Sequence, residues 1–64
     1  MKLVAYMVVP TMLTKVKDAM DILNKQAEDL AAKHRLELDG PPNMEPYAEM
    51  AGHTLVAWDL KAAH

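Results

Sequence analysis

The chain has no cysteine, no serine and only two glycines among its 64 residues. Without cysteine it forms no disulfide and no thiolate zinc site. The usual nucleophiles of acyl transfer are missing, and Thr11, Thr14, Thr54, Tyr6 and Tyr47 are the only side-chain hydroxyls. Gly40 and Gly52 stand apart, so there is no glycine-rich phosphate loop. The apolar run Leu3–Val9 falls far short of the ~20 residues a membrane-crossing helix needs. Pro10, Thr11 and Met12 follow that run in place of a small-residue cleavage site, so it reads as a strand of the mature protein. A basic patch is absent too. The formal charge is -2, and Lys15, Lys17 and Lys25 alternate with Asp18, Asp21, Glu28 and Asp29. Duplex nucleic-acid binders concentrate positive charge on one face. The expectation is therefore a disulfide-free cytoplasmic domain with neither nucleic acid nor membrane as partner.

What the chain does have is a helical stripe. Leu13, Val16, Met20, Leu23, Ala27 and Leu30 recur at steps of three and four, which places them on one helix face. Pro10 disfavours helix at Val9, and Thr11 is the candidate N-cap. Lys33, His34 and Arg35 cluster where positive charge complements the helix dipole. The pattern predicts a helix over 12–34, roughly 34 Å long, with Asp21 and Lys25 as an i,i+4 pair. The stripe is also heptad-like, but Met12, Ala19 and Ala31 widen it beyond a coiled-coil seam, which favours packing on a sheet.

Two apolar runs supply that sheet. Residues 2–9 and 53–60 are rich in β-branched and aromatic residues, and 36–38 alternates briefly. Residues 39–52 begin with the turn signal Asp39-Gly40-Pro41-Pro42 and are otherwise aperiodic, so they read as one long loop. The expected fold is α+β, with order β-α-β-β: a single domain over 1–64. One long helix covers a small three-stranded mixed sheet in a split β-α-β arrangement, with the last strand between the other two. His64 and its neighbours read as a frayed tail.

Both long strands are apolar on both sides, yet one helix covers only one side. If the helix takes the opposite set, Tyr6, Val8, Val56 and Trp58 are left bare. A bare apolar face is unusual on a soluble monomer. A chain this short also folds only marginally by itself. The expectation is a homodimer or higher homo-oligomer, with Tyr6, Val56 and Trp58 in self-association.

The chemistry-bearing residues form no specific constellation. His34, His53 and His64 lack metal-ligand spacing, so no metal site and no cofactor is expected. Asp59 is the lone charge in an apolar strand run; facing inward it needs a partner such as Lys2 or Lys61. Of the six methionines, Met7 and Met20 fit core positions, whereas Met44 and Met50 flank Pro46 and Tyr47 in the long loop. An apolar, adaptable loop of this kind suits a partner surface. The leading expectation is a small non-enzymatic binding module that engages another protein and alters its activity, as small phage-type inhibitors and accessory regulators do. Met44, Glu45, Tyr47 and Met50 are the candidate partner residues. One alternative is an aromatic ligand held by Tyr6 and Trp58 at the sheet interface of an oligomer. Another is a small enzyme using His53 and Glu49 as acid and base.

Overall fold

β-branched and aromatic residues drive the two long strands, and the strands meet as neighbours. A computed structural model describes residues 2–63; Met1 and His64, and with it the reading of His64 as tail, lie outside the described residues. Strand β1 (Leu3–Pro10) leads into a 3₁₀ turn (Thr11–Lys15), helix α1 (Lys17–Lys33), strands β2 (Leu36–Leu38) and β3 (Asn43–Pro46), and strand β4 (His53–Ala62). The sheet is α+β in class and four-stranded, with β1 on one side of β4 and both β2 and β3 on the other. Every pairing is antiparallel, as the split arrangement expects for the last strand against both of its neighbours, and the expected three-stranded mixed sheet is corrected to a four-stranded antiparallel one. The last strand does take the central place.

The extra strand comes from the segment expected to be a loop. Asn43–Pro46 pairs with Ala57–Thr54. Its pattern is weak because the neighbouring strand, and not its own periodicity, holds it. Pro46 fits for a geometric reason. The bond from Tyr47 N–H to the His53 carbonyl, 3.1 Å, sets the ladder so that Pro46 turns its missing N–H away from β4. The same parity holds for Pro10 in β1. Thr11 N–H donates to the Gly52 carbonyl at 2.7 Å, so Pro10 sits at an outward position where no ladder bond is lost. At the far end β4 runs to Ala62, and Ala63 N–H reaches the Arg35 carbonyl, so residues 61–63 are held by β2 and are not frayed.

The helix is shorter than the stripe predicts. It starts at Lys17, because Val16 is extended at φ -106 and ψ 116. Two local features break the run. The Thr14 hydroxyl donates to the Thr11 carbonyl at 2.7 Å, a side-chain bond that competes with helix. Thr11 does not cap the helix; its hydroxyl pairs with that of Thr54 at 2.8 Å and ties the 3₁₀ turn to β4. The inner face uses Met20, Leu23, Ala27 and Ala31, while Val16 and Leu30 are exposed. The helix ends on Arg35 in the left-handed region at φ 58, a conformation costing an ordinary residue about 1–2 kcal/mol.

The core lies between α1 and one sheet face. Val9, Leu23, Ala27, Val56 and Trp58 form it, with Met7, Leu13, Met20 and Leu38 packed against them. Cross-strand partners share a face, so Ala5 opposite Trp58, Met7 opposite Val56 and Val9 opposite Thr54 mark the covered side. Ala27 is small enough to let the helix sit close over the indole, whose N–H donates to the Asn24 side-chain oxygen at 2.7 Å. Trp58 and Val56 are both 0% exposed. Their expected role in self-association is therefore wrong: cross-strand parity puts them beneath the helix. Among the described residues no helix is long and apolar enough to cross a membrane.

Candidate interaction surface

The uncovered face of the sheet is built from the residues between the core positions. Val4, Tyr6 and Val8 of β1 stand opposite Asp59, Ala57 and Leu55 of β4. On β3, Asn43 and Glu45 stand opposite Ala57 and Leu55, and so share that face. The result is an apolar strip bounded by polar groups. Tyr6 is 70% exposed, Val4 is exposed, and Val8, Leu55 and Ala57 are half-buried. A shallow hollow of about 350 Å³ lies along it, lined by Val4, Asn43, Leu55, Ala57 and Asp59 among others.

Asp59 is the polar anchor of this strip. Its carboxylate lies 3.2 Å from the Lys2 ammonium, and its side chain is 27% exposed, so the charge is both paired and wetted. Lys61 lies instead near Glu37 and Asp39, at 3.7 and 3.8 Å. The other polar end is His53, whose Nδ1 lies 3.2 Å from the Ala51 carbonyl oxygen.

The four candidate partner residues fall on the β3–β4 hairpin but do not make one patch. Met44 stands opposite Val56, on the helix side of the sheet, whereas Glu45 faces the open side. Tyr47 is half-buried, and its carbonyl accepts from Met50 N–H at 3.1 Å in the turn. Met44 and Met50 are both nearly half exposed. The hairpin thus carries apolar groups around its rim.

Two other arrangements do not form. Trp58 and Tyr6 lie on opposite faces, so they cannot stack on a shared aromatic ligand. No hydrogen bond or ion pair joins Glu49 to His53 among the described residues. Nor does any group of three His, Asp or Glu side chains converge there as a metal site would. A larger hollow of about 540 Å³ lies between the helix end and β2, with Glu28, Arg35 and Glu37 on its rim. None of the candidate partner, self-association or acid–base residues lines it.

Strand alternation groups Val4, Tyr6 and Val8 on one face, but their neighbours across the sheet are Leu55 and Ala57 and not the expected Val56 and Trp58. The available signal was Asn24. A polar residue beside the helix's apolar stripe needs a partner, and the indole N–H of Trp58 supplies it. No family model, curated protein or solved structure is significantly similar to this chain.

Proposed function

We propose that this chain is a small homo-oligomeric binding module that engages another protein and alters its activity. One observation carries the reading: α1 covers one side of the sheet, and Val4, Tyr6, Val8, Leu55 and Ala57 lie on the other with no layer over them among the described residues. The surface area supports it. A compact chain of 7.1 kDa should expose about 4,100 Å², whereas this one exposes 4807 Å². The surplus of about 700 Å² is close to the ~800 Å² that each partner buries in a standard interface. The shape agrees, since a radius of gyration of 12.0 Å exceeds the ~10.7 Å expected for this length. The protein partner meets the open face, where Glu45 lies, and reaches the adjoining hairpin rim that carries Met44, Tyr47 and Met50. The reading is non-enzymatic.

The test is light scattering of the pure chain together with affinity capture from the source cell. The expected result is a dimer at micromolar concentration that retains a stoichiometric protein. Leu55→Lys should abolish the retention while leaving the helical circular dichroism unchanged. A lone subunit that retains nothing, or retention indifferent to Leu55→Lys, overturns the reading.

A further inference from the structure

The hydrogen-bond parity of β1 leaves one long rim of the sheet open. Thr11 N–H bonds to the Gly52 carbonyl, so Thr11 and Gly52 form a hydrogen-bonded pair, and the pairing alternates from there. Residues 3, 5, 7 and 9 bond to β4. Val4, Tyr6 and Val8 turn both backbone groups outward, and among the described residues β1 has no strand on that side. The helix does not roof this rim, because it packs more closely on β2 than on β1.

The opposite rim is different. It is broken between β2 and β3 by Asp39–Pro42, and on β3 Pro46 has no N–H to offer. A long, flat, apolar edge strand is a template for another strand.

We infer that β1 pairs antiparallel with β1 of a second copy of this chain, about a two-fold axis at Tyr6. The inference deepens the self-association proposed above and rests on it. Parity restricts the register to even steps, and centring on Tyr6 pairs Val4, Tyr6 and Val8 without calling on Lys2, which precedes the strand, or on Pro10, which has no N–H. A hydrogen-bonded pair across the interface needs residues whose backbone groups point outward on both chains. Antiparallel pairing about Tyr6 meets that need at every position: Val4 with Val8 of the second copy, Tyr6 with its own equivalent, and Val8 with Val4. Each pair exchanges two backbone bonds. A shift of one residue would set outward groups against inward ones and form none. Lys2 and Pro10 bracket the paired segment. The axis stands perpendicular to the sheet, so both helices lie on one side and both open faces join on the other.

Two variants test this without touching the β1–β4 ladder. Val8→Pro removes an outward N–H at a strand position that tolerates proline. It should raise the dimer dissociation constant by about tenfold or more, since a tenfold change corresponds to ~1.4 kcal/mol. Helical circular dichroism should be unchanged. Tyr6→Cys places two thiols across the axis, where hydrogen-bonded partners have Cα atoms about 5.5 Å apart, within disulfide reach. Mild oxidation should therefore give a covalent dimer. Val8→Cys should not, because its two copies lie about 13 Å apart along the strands. The chain has no other cysteine to confuse the result.

A wild-type dimer unaffected by Val8→Pro, or cross-linking through Val8→Cys as readily as through Tyr6→Cys, overturns edge pairing and leaves self-association standing. Cross-linking also decides the matter if Val8→Pro fails to fold. A wild-type monomer at micromolar concentration overturns both.

Discussion

The indole N–H of Trp58 donates to the side-chain oxygen of Asn24 at 2.7 Å, joining the middle of the helix to the central strand. This is a polar bond at the seam between the two layers. Among the described residues no buried side-chain nitrogen or oxygen lacks a partner, so this bond leaves the seam fully satisfied.

Removing one partner should be costly. Asn24→Ala leaves the buried indole N–H without an acceptor, for which about 1–3 kcal/mol is the expected loss. Trp58→Ala should cost more, about 3–5 kcal/mol, because it also empties a volume in the core. Urea unfolding followed by circular dichroism measures both. An Asn24→Ala midpoint equal to that of the parent would remove the bond from the account.

The hydroxyl pair between Thr11 and Thr54 makes a similar but smaller prediction. Thr54 is buried, and its partner holds the 3₁₀ turn against β4. Thr54→Val should destabilise by about 0.5–1.5 kcal/mol. Adding Thr11→Val to it should cost little more, since the pair is already broken. Full additivity in a double-mutant cycle would show that the two hydroxyls do not interact.

Arg35 offers a gain. It holds φ 58 just past the helix, where glycine is the usual residue. Arg35→Gly relieves the steric penalty but adds freedom to the unfolded chain, so the net gain should be about 0.5–1 kcal/mol. For a domain this small that is a rise of several degrees in Tm by calorimetry. A fall in Tm would mean that the Arg35 side chain contributes more than its backbone costs.

The exposed helix pairs set a pH limit. Lys17 bonds to Asp21 at 2.8 Å and Lys25 to Asp29 at 2.9 Å, in place of the Asp21–Lys25 pair that spacing alone suggested. Each ammonium is held above the ordinary value of 10.5, chiefly by that hydrogen bond. A lysine raised in the folded state stabilises fully below its unfolded value and loses that contribution as pH climbs through the raised one. These pairs should therefore matter at neutral pH and fade only above about pH 10.5. NMR titration of the lysine side chains should show the shift, and Asp21→Asn should return Lys17 towards 10.5. A Lys17 midpoint already at 10.5 would mean the pair is open in solution.

The central place of β4 was legible because both of its sides are apolar. That same feature hid which side faces the helix, since Leu55 and Val56 are equally suited to a core. Only the partner strand's register and the Asn24–Trp58 bond decide it. The helix body was legible from Ala, Leu, Met and Lys at good helical spacing, but its start was not. Thr14 and Val16 interrupt it through a local hydroxyl bond and an extended backbone, neither of which disturbs the apolar period. Strand β3 was illegible because Asn43–Pro46 carries no alternation and borrows its conformation from β4. Among the surface residues, strand alternation sets Tyr6 on one face with Val4 and Val8. Met44 and Glu45 were read as one patch, although strand alternation sends them to opposite sides.

The proline at the end of β3 bears on how far any assembly can grow. A sheet with two receptive rims polymerises, each addition exposing a fresh site for the next. Here the far rim is interrupted and short of a donor, so Pro46 acts as a chain terminator. If copies join through β1, growth through strands stops at a closed pair, and a small protein with an adhesive border is kept from becoming a fibre.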